Sequence, residues 1–143
     1  MLVKDYRTRH PLKMSPETSA GEAQQIMTEN NIRHIPVVGD GKRVLGLISR
    51  ERLRIPPTEL GSLNVWEISR YLNELSAKDI MVKKADLICT NPDTTLEDAA
   101  KMMISKKVGC LLVLEDDIVV GIITEVDMLA QLTSLLGGDV EGV

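Results

Sequence analysis

The chain has 143 residues, 43% hydrophobic and 27% charged, with a formal net charge of −4. That suffices for one ordinary domain or two very small ones, and it excludes a disordered or collagen-like chain. No apolar run approaches the roughly 18–20 residues of a membrane span, and with no Phe, two Tyr and one Trp the chain offers almost no aromatic platform for stacking bases.

The first five residues lack the apolar core of a signal peptide. Two cysteines, Cys89 and Cys110, fit neither a dense disulfide framework nor a four-ligand zinc site, so a reduced cytoplasmic protein is expected. Charge is uneven: residues 1–55 carry 10 basic and 6 acidic side chains, residues 56–143 carry 7 and 15. The overall balance argues against general phosphate-backbone binding. The basic half is either a solvated face or a local anion site.

In chain order, Ser19 and Glu22 form a capping box that opens a helix, followed by apolar strands over 32–38 and 44–48. Ile55-Pro56-Pro57 and Leu60-Gly61 interrupt regular structure. Asn64 then caps a helix with Glu67 at its third position, and Val65, Ile68, Leu72 and Leu75 form one apolar stripe. Trp66 lies beside that stripe, as core or as a dimer contact. Further on, Leu87-Ile88-Cys89-Thr90 is a short β-prone run stopped by Asn91-Pro92. Thr95 caps the next helix with Asp98 at a capping-box-like position, and Leu96, Ala99, Ala100, Met103 and Ile104 line one face. Runs 111–114 and 118–123 flank the acidic turn Glu115-Asp116-Asp117 and predict a hairpin. A last helix runs through Met128, Leu129, Leu132 and Leu136 to Gly137-Gly138.

These elements repeat. Residues 15–38 laid over 91–114 pair Pro16 with Pro92, Thr18 with Thr94, Ala23 with Ala99, Met27 with Met103 and Val37 with Val113. Val44-Leu45-Gly46-Leu47-Ile48-Ser49 falls on Val119-Val120-Gly121-Ile122-Ile123-Thr124, and Lys4-Asp5 on Lys78-Asp79. The expected organisation is a unit over 1–55, a linker with a short helix over 56–76, a second unit over 77–136 and a flexible tail over 137–143. Each unit reads β-α-β-β-α. At about 55 residues each is too small for a good core alone, so the two should pack as one pseudo-two-fold α/β (α+β) domain.

Ile32-Arg33-His34-Ile35-Pro36-Val37-Val38 with Gly46-Leu47-Ile48-Ser49, and Asn91-Pro92-Asp93-Thr94-Thr95-Leu96 with Gly121-Ile122-Ile123-Thr124-Glu125-Val126-Asp127, resemble a pair of CBS domains, the tandem called a Bateman module. The helix opened by Trp66-Glu67 and running into Ala77-Lys78-Asp79-Ile80-Met81 is similar to stand-alone acetoin-utilisation-type CBS proteins of prokaryotes, in the form without a C-terminal ACT domain. The resemblance implies a regulatory module that senses adenosine-type ligands, AMP, ADP, ATP or S-adenosylmethionine, in a cleft between two CBS units. It implies signalling by conformational change, a homodimer, an unknown regulated protein, and neither nucleic acid nor membrane as partner. It requires no cofactor.

Thr124 and Asp127 stand at a strand-to-helix junction, three residues apart and on one side of the first turn. There a carboxylate can accept both hydroxyls of a ribose, and a hydroxyl with free helix N–H groups suits a phosphate. Without a ligand, the same pair caps the helix. The resemblance adds Ile88, Cys89, Thr90, Gly109, Cys110 and Ile122 as further binding residues, with Cys89 where the family often has threonine. In the first unit Lys13, Ser49 and Arg52 occupy the equivalent positions. Arginine cannot accept from a ribose hydroxyl, so that site is either empty or draws an anion through Lys13 and Arg52. The two cysteines either face each other on neighbouring strands or are buried thiols without chemistry. His10 and His34 are the only histidines, and no nucleophile-elbow, zincin or P-loop pattern is present, so neither an enzyme nor a metal site is expected. The competing reading is a constitutive dimerisation or scaffold protein with inert clefts.

Overall fold

The computed structural model describes residues 1–9, 11–53 and 64–138. His10, much of the predicted linker and most of the predicted tail therefore lie outside the described residues. In chain order the elements are α1 (Val3–Tyr6), β1 (Thr8–Arg9), α2 (Ala20–Asn30), β2 (His34–Val38), β3 (Val44–Ser49), α3 (Val65–Glu74), α4 (Ala77–Ile80), β4 (Val82–Lys83), β5 (Cys89–Thr90), α5 (Leu96–Lys106), β6 (Cys110–Glu115), β7 (Ile118–Thr124) and α6 (Glu125–Leu135). A 3₁₀ turn over Arg50–Leu53 follows β3. No helix among the described residues is long and apolar enough to cross a membrane.

The caps behave as their residue types demand. Ser19 Oγ accepts from the Glu22 N–H at 3.1 Å, Thr95 Oγ1 from the Asp98 N–H at 3.1 Å, and Asn64 Oδ1 from the Glu67 N–H at 2.9 Å. Both long helices of the repeats end on a left-handed residue, Asn31 and Lys107, at equivalent positions. The β6–β7 hairpin turns through Asp116 and Asp117, both at positive φ as a two-residue turn of the type I′ kind requires.

The chain forms two compact units, and they do not coincide with the sequence repeats. One comprises Met1–Pro11 with Ile88–Val143, the other Leu12–Leu87. The expected boundaries, 1–55 and 77–136, follow the repeat in sequence. In space, each repeat gives its leading turn and strand to the other. The cause is backbone pairing: β1 pairs with β7 and β4 pairs with β3.

The unit built on the second repeat has a four-stranded sheet in the order β1-β7-β6-β5, antiparallel except for the parallel pair β5–β6. Its core comprises Val3, Leu96, Ala99, Met103, Leu111, Val113 and Ile123. The unit built on the first repeat has the antiparallel sheet β2-β3-β4, and a parallel bridge from Met14 to Val37 stands where β5 lies beside β6 in the other. Its core includes Ala77, Ala20, Ala23, Met27, Ile35, Val37 and Ile48, the counterparts of those seven residues.

One expectation fails, and another loses one of its two alternatives. Ile104 is 77% exposed and leaves the predicted apolar face to Leu96, Ala99 and Met103, because its angle on α5 carries it past the sheet. Trp66 is 85% exposed and is not core; Leu72 and Leu75 carry the contact of this segment with its unit, while Val65 joins Trp66 in solvent. The helices approach closely where Gly21 on α2 meets α3: a Cβ there would stand 2.9 Å from Asn73 Oδ1.

The exposed and buried positions predict different sensitivities. Met27→Ala, at 1% exposure, should cost about 2–5 kcal/mol through lost burial and a residual cavity. Ile104→Ser should stay within about 0.5 kcal/mol. Urea unfolding midpoints of the two variants and the parent check both values.

Candidate functional site

Thr124 ends β7 and is the N-cap of α6. Its Oγ1 accepts from the Asp127 N–H at 3.3 Å, while Asp127 Oδ2 accepts from the Thr124 N–H at 2.8 Å and from its hydroxyl at 3.1 Å. The pair thus makes the reciprocal cap that its spacing allows. Both bonds that the carboxylate accepts fall on Oδ2, and Oδ1 takes no part in the cap. A part-buried carboxylate at a helix N-terminus, with one oxygen outside the cap, can accept hydroxyl donors without dismantling the helix start.

Alternation along the strands sorts the remaining candidates. Leu111, Val113 and Ile123 face the core, so Cys110, Leu112, Ile122 and Thr124 face the other side. Cys89 pairs with Leu112, and Leu112 with Ile122, which puts Cys89 and Ile122 in the same cross-strand row. The next row is Cys110 with Thr124. Ile88 and Thr90 belong to the opposite face: Ile88 packs against the core cluster, and the Thr90 hydroxyl donates to Thr94 Oγ1 at 2.6 Å. Those two residues are therefore not grouped with the others. A two-residue strand is too short for its sequence to reveal which side chain faces which way.

Gly109 meets this face through Glu125, a residue the sequence reading left out. The Glu125 N–H donates to the Gly109 carbonyl at 2.9 Å, and a Cβ on Gly109 would stand 3.3 Å from Glu125 Oε1. Cys110 is buried, and its thiol is pushed up to about 12 by burial first, then by Cys89 and Glu125. The two cysteines form no disulfide. Among the described residues no group of three His, Cys, Asp or Glu could hold a metal ion.

The first repeat supplies the matching junction with other chemistry. The Arg50 N–H donates to the Arg33 carbonyl at 2.8 Å, as Glu125 does to Gly109, so Ser49 sits where Thr124 does. The side chain of Arg52 lies outside the described residues. Lys13 is half-buried, and its pKa is lowered by that burial and then by the charge of Lys42. The cation that bears on Lys13 is thus Lys42, a turn residue that sequence spacing does not bring near it. A concavity of about 470 Å³ lies along α3 beside Trp66 and Arg70, and a smaller one of about 240 Å³ is lined by Gln24, Met27, Thr28, Arg50 and Leu53. Neither includes a residue of the Thr124–Asp127 face.

Comparison with known proteins places this geometry in a family. A model of the CBS domain matches residues 3–55 and 77–134. A putative acetoin utilization protein (AcuB) from Vibrio cholerae is 31% identical, with 96% of this chain and 93% of that one covered and a TM-score of 0.78. The CBS domain pair of protein MJ0100, solved in complex with 5′-methylthioadenosine and S-adenosyl-L-methionine, is 25% identical over 96% of this chain and 100% of that one, with a TM-score of 0.73. CBSX2 in complex with AMP shares the fold at 22% identity, a TM-score of 0.75 and coverage of 94% and 98%. The chain spans less than half the length of the first curated relatives it matches, 46% of one and 23% and 20% of the next two.

The Cys110 thiol gives this face a measurable signature. Its pKa is raised in the folded state, so its contribution to stability is complete below the ordinary value of 9.0 and is lost as pH rises through about 12. Denaturant titrations between pH 8 and 12 should show a falling unfolding free energy that is flatter in Cys110→Ala. At pH 8 a chromogenic disulfide should leave Cys110 unmodified until the protein unfolds.

Proposed function

The chain belongs to the CBS-domain family, and from that premise we propose that it is a regulatory module binding an adenosine-type ligand at the start of α6. The ligand class is AMP, ADP, ATP or S-adenosylmethionine. The observation that carries this reading is the Thr124–Asp127 cap, whose carboxylate keeps Oδ1 outside the capping bonds. In this reading the ribose hydroxyls donate to Asp127, the base lies over the Cys89–Ile122 row, and backbone groups near Gly109 and Cys110 read its edge. Complexes of MJ0100 and CBSX2 with adenosine compounds support the ligand class. The module regulates by favouring one conformation or dimer arrangement when occupied, which requires that the ligand bind that arrangement more tightly. The equivalent site on the first repeat does not take a nucleoside, because Lys13 and Arg52 offer donors where the ribose needs an acceptor; it is empty or holds an anion.

The homodimer belongs to this proposal. Helix α6 has no buried residue, yet Val126, Leu129, Leu132, Leu135 and Leu136 are large, apolar and exposed. A second copy of the chain laid against that helix removes the patch from water on both sides at once. The same patch is the observation that favours the alternative, a constitutive dimeric scaffold whose sites are inert. A regulated partner protein is part of the first reading, and a reduced cytoplasmic setting suits its two unbridged cysteines.

Thermal unfolding with AMP, ADP, ATP and S-adenosylmethionine separates the two readings. A ligand at 100 times its dissociation constant adds about 2.7 kcal/mol, several degrees for a chain of this size. Asp127→Ala should abolish the shift. Because it also removes a cap worth about 1 kcal/mol, the quantity to compare is the ligand-induced shift and not the starting Tm. A shift with no ligand, alongside an intact dimer, leaves the scaffold.

Oligomeric state has its own test. Leu129, 60% exposed on α6, changed to Glu should move the light-scattering mass from dimer towards monomer while leaving the circular dichroism spectrum unchanged.

A further inference from the structure

Arg7 has two buried guanidinium nitrogens without a hydrogen-bond partner, which the Thr124–Asp127 cap does not explain. It follows α1, and its side chain lies across Gly121 on β7: a Cβ on that glycine would collide with Arg7 Cδ and stand 3.0 Å from Nε. Nε and Nη1 of Arg7 are both buried and neither has a hydrogen-bond partner. These are the only buried side-chain nitrogen or oxygen atoms among the described residues in that condition. A guanidinium cannot shed its charge by losing a proton, so burial without an acceptor costs the full desolvation of those N–H groups.

The duplication supplies an internal control. The position equivalent to Arg7 is Met81, and its side chain occupies the same place over Gly46, the counterpart of Gly121. A slot over a strand glycine thus accepts an unbranched apolar side chain in one repeat, where nothing needs a partner. In the other repeat the slot holds a fork of donors. Two carboxylates linked to the same leading turn have other partners: Asp5 Oδ2 accepts from the Leu2 N–H at 3.4 Å, and Asp93 pairs with Lys4 at 3.5 Å. On β7 the Thr124–Asp127 cap lies three residues beyond Gly121, about 10 Å along the strand, and its carboxylate is bonded to Thr124.

From this geometry we infer that Arg7 is the anchor of a second binding site, for a phosphate-class oxyanion seated against β1 and β7 at Gly121. Each edge of a guanidinium joins Nη2 to either Nε or Nη1, so an oxyanion on either edge engages one of the two buried donors in a charge-assisted pair of bonds. Gly121 is required because any larger residue would drive the guanidinium off the strand. The ion is either free or the terminal group of a larger metabolite, and both present the same oxygens. The inference does not rest on the adenosine reading, since it concerns different residues.

The test uses thermal unfolding of the whole chain in inorganic phosphate against chloride at equal ionic strength, for the parent, Arg7→Met, Arg7→Gln and Asp127→Ala. Parent and Asp127→Ala should gain on the order of 3–6 °C with a saturating dependence on phosphate. Arg7→Met should start from a higher Tm, as the Met81 slot suggests, and show only the small, non-saturating rise that an excluded salt gives every protein. Arg7→Gln should behave like Arg7→Met in its lack of response, which keeps the test valid if the methionine variant folds poorly. Repeating the series with AMP identifies the source. An Arg7-dependent shift seen only with AMP marks the nucleotide's own phosphate, and one seen with phosphate alone marks the free ion. Equal phosphate and AMP responses in the parent and both Arg7 variants overturn the inference. So does a phosphate response lost in Asp127→Ala and kept in Arg7→Met, which would put the ion at the start of α6.

Discussion

Everything in this structure depends on a short set of backbone hydrogen bonds that tie the leading turn of each repeat to the other repeat's helix. The Val3 N–H donates to the Thr94 carbonyl at 2.8 Å and the Lys4 N–H to the Pro92 carbonyl at 3.0 Å, while the Leu96 N–H donates to the Met1 carbonyl at 2.9 Å. Ala77 to Thr18, Lys78 to Pro16 and Ala20 to Leu75 repeat the set at 2.7, 3.0 and 2.8 Å. The third bond of each set satisfies an N–H in the first turn of α5 or α2, which has no partner inside its own helix. The first two carry Val3 and Ala77 to full burial. A repeat of this length cannot close a core with its own residues, and the borrowed turn and strand complete it. The ion pairs that accompany the exchange, Lys4–Asp93 and Lys78–Glu17, are exposed and add little.

That constraint explains which parts of the fold were legible in the sequence. Caps and apolar spacing are local, so Ser19, Asn64 and Thr95 located their helices, and the repeat of Met27 in Met103 and Val37 in Val113 located the core twice. The exchange itself leaves no local trace. Lys4-Asp5 and Lys78-Asp79 show that the leading turn is duplicated, but nothing in either pair says whose sheet it joins. Side-chain direction was lost for a similar reason at Ile88 and Thr90, where two residues of strand give no period to read. Trp66 shows a different limit, because an aromatic beside an apolar stripe looks the same whether the stripe's partner lies under it or one helical turn away. Of the candidate site, the Thr124–Asp127 spacing carried its own geometry, whereas Glu125 and Lys42 reach their neighbours only through the fold.

Because both repeats share the strand hairpin, the capped helix and the borrowed leading turn, equivalent residues in them can be compared by their chemistry. Thr124 and Asp127 correspond to Ser49 and Arg52, Cys89 to Lys13, and Arg7 to Met81. At the strand-to-helix junction the second repeat offers an acceptor where the first offers a cation. At the slot over the strand glycine the order reverses: the guanidinium belongs to the unit that also contains Asp127, and the thioether to the unit that contains Lys13. Each unit therefore carries one cationic and one non-cationic position at the two places where the backbone plan leaves room for a side chain to act. Duplication followed by such swaps diversifies the chemistry without disturbing the seven-residue core that both units share.

A capping pair suits the ligand-binding role proposed for it. A carboxylate held by Thr124 is already desolvated on one oxygen and fixed in direction, so a ribose that reaches Oδ1 meets an acceptor whose ordering has been achieved by the fold. Were the ligand to displace the Thr124 hydroxyl as well, the loss is that of part of a cap, about 1 kcal/mol, which is less than a tenfold change in dissociation constant. Under the proposed reading, ligand binding would therefore disturb the start of α6 by no more than part of a cap. In that reading the first turn of α6 carries Val126 and leads into Leu129 and Leu132, the exposed apolar positions on which the proposed second chain would rest.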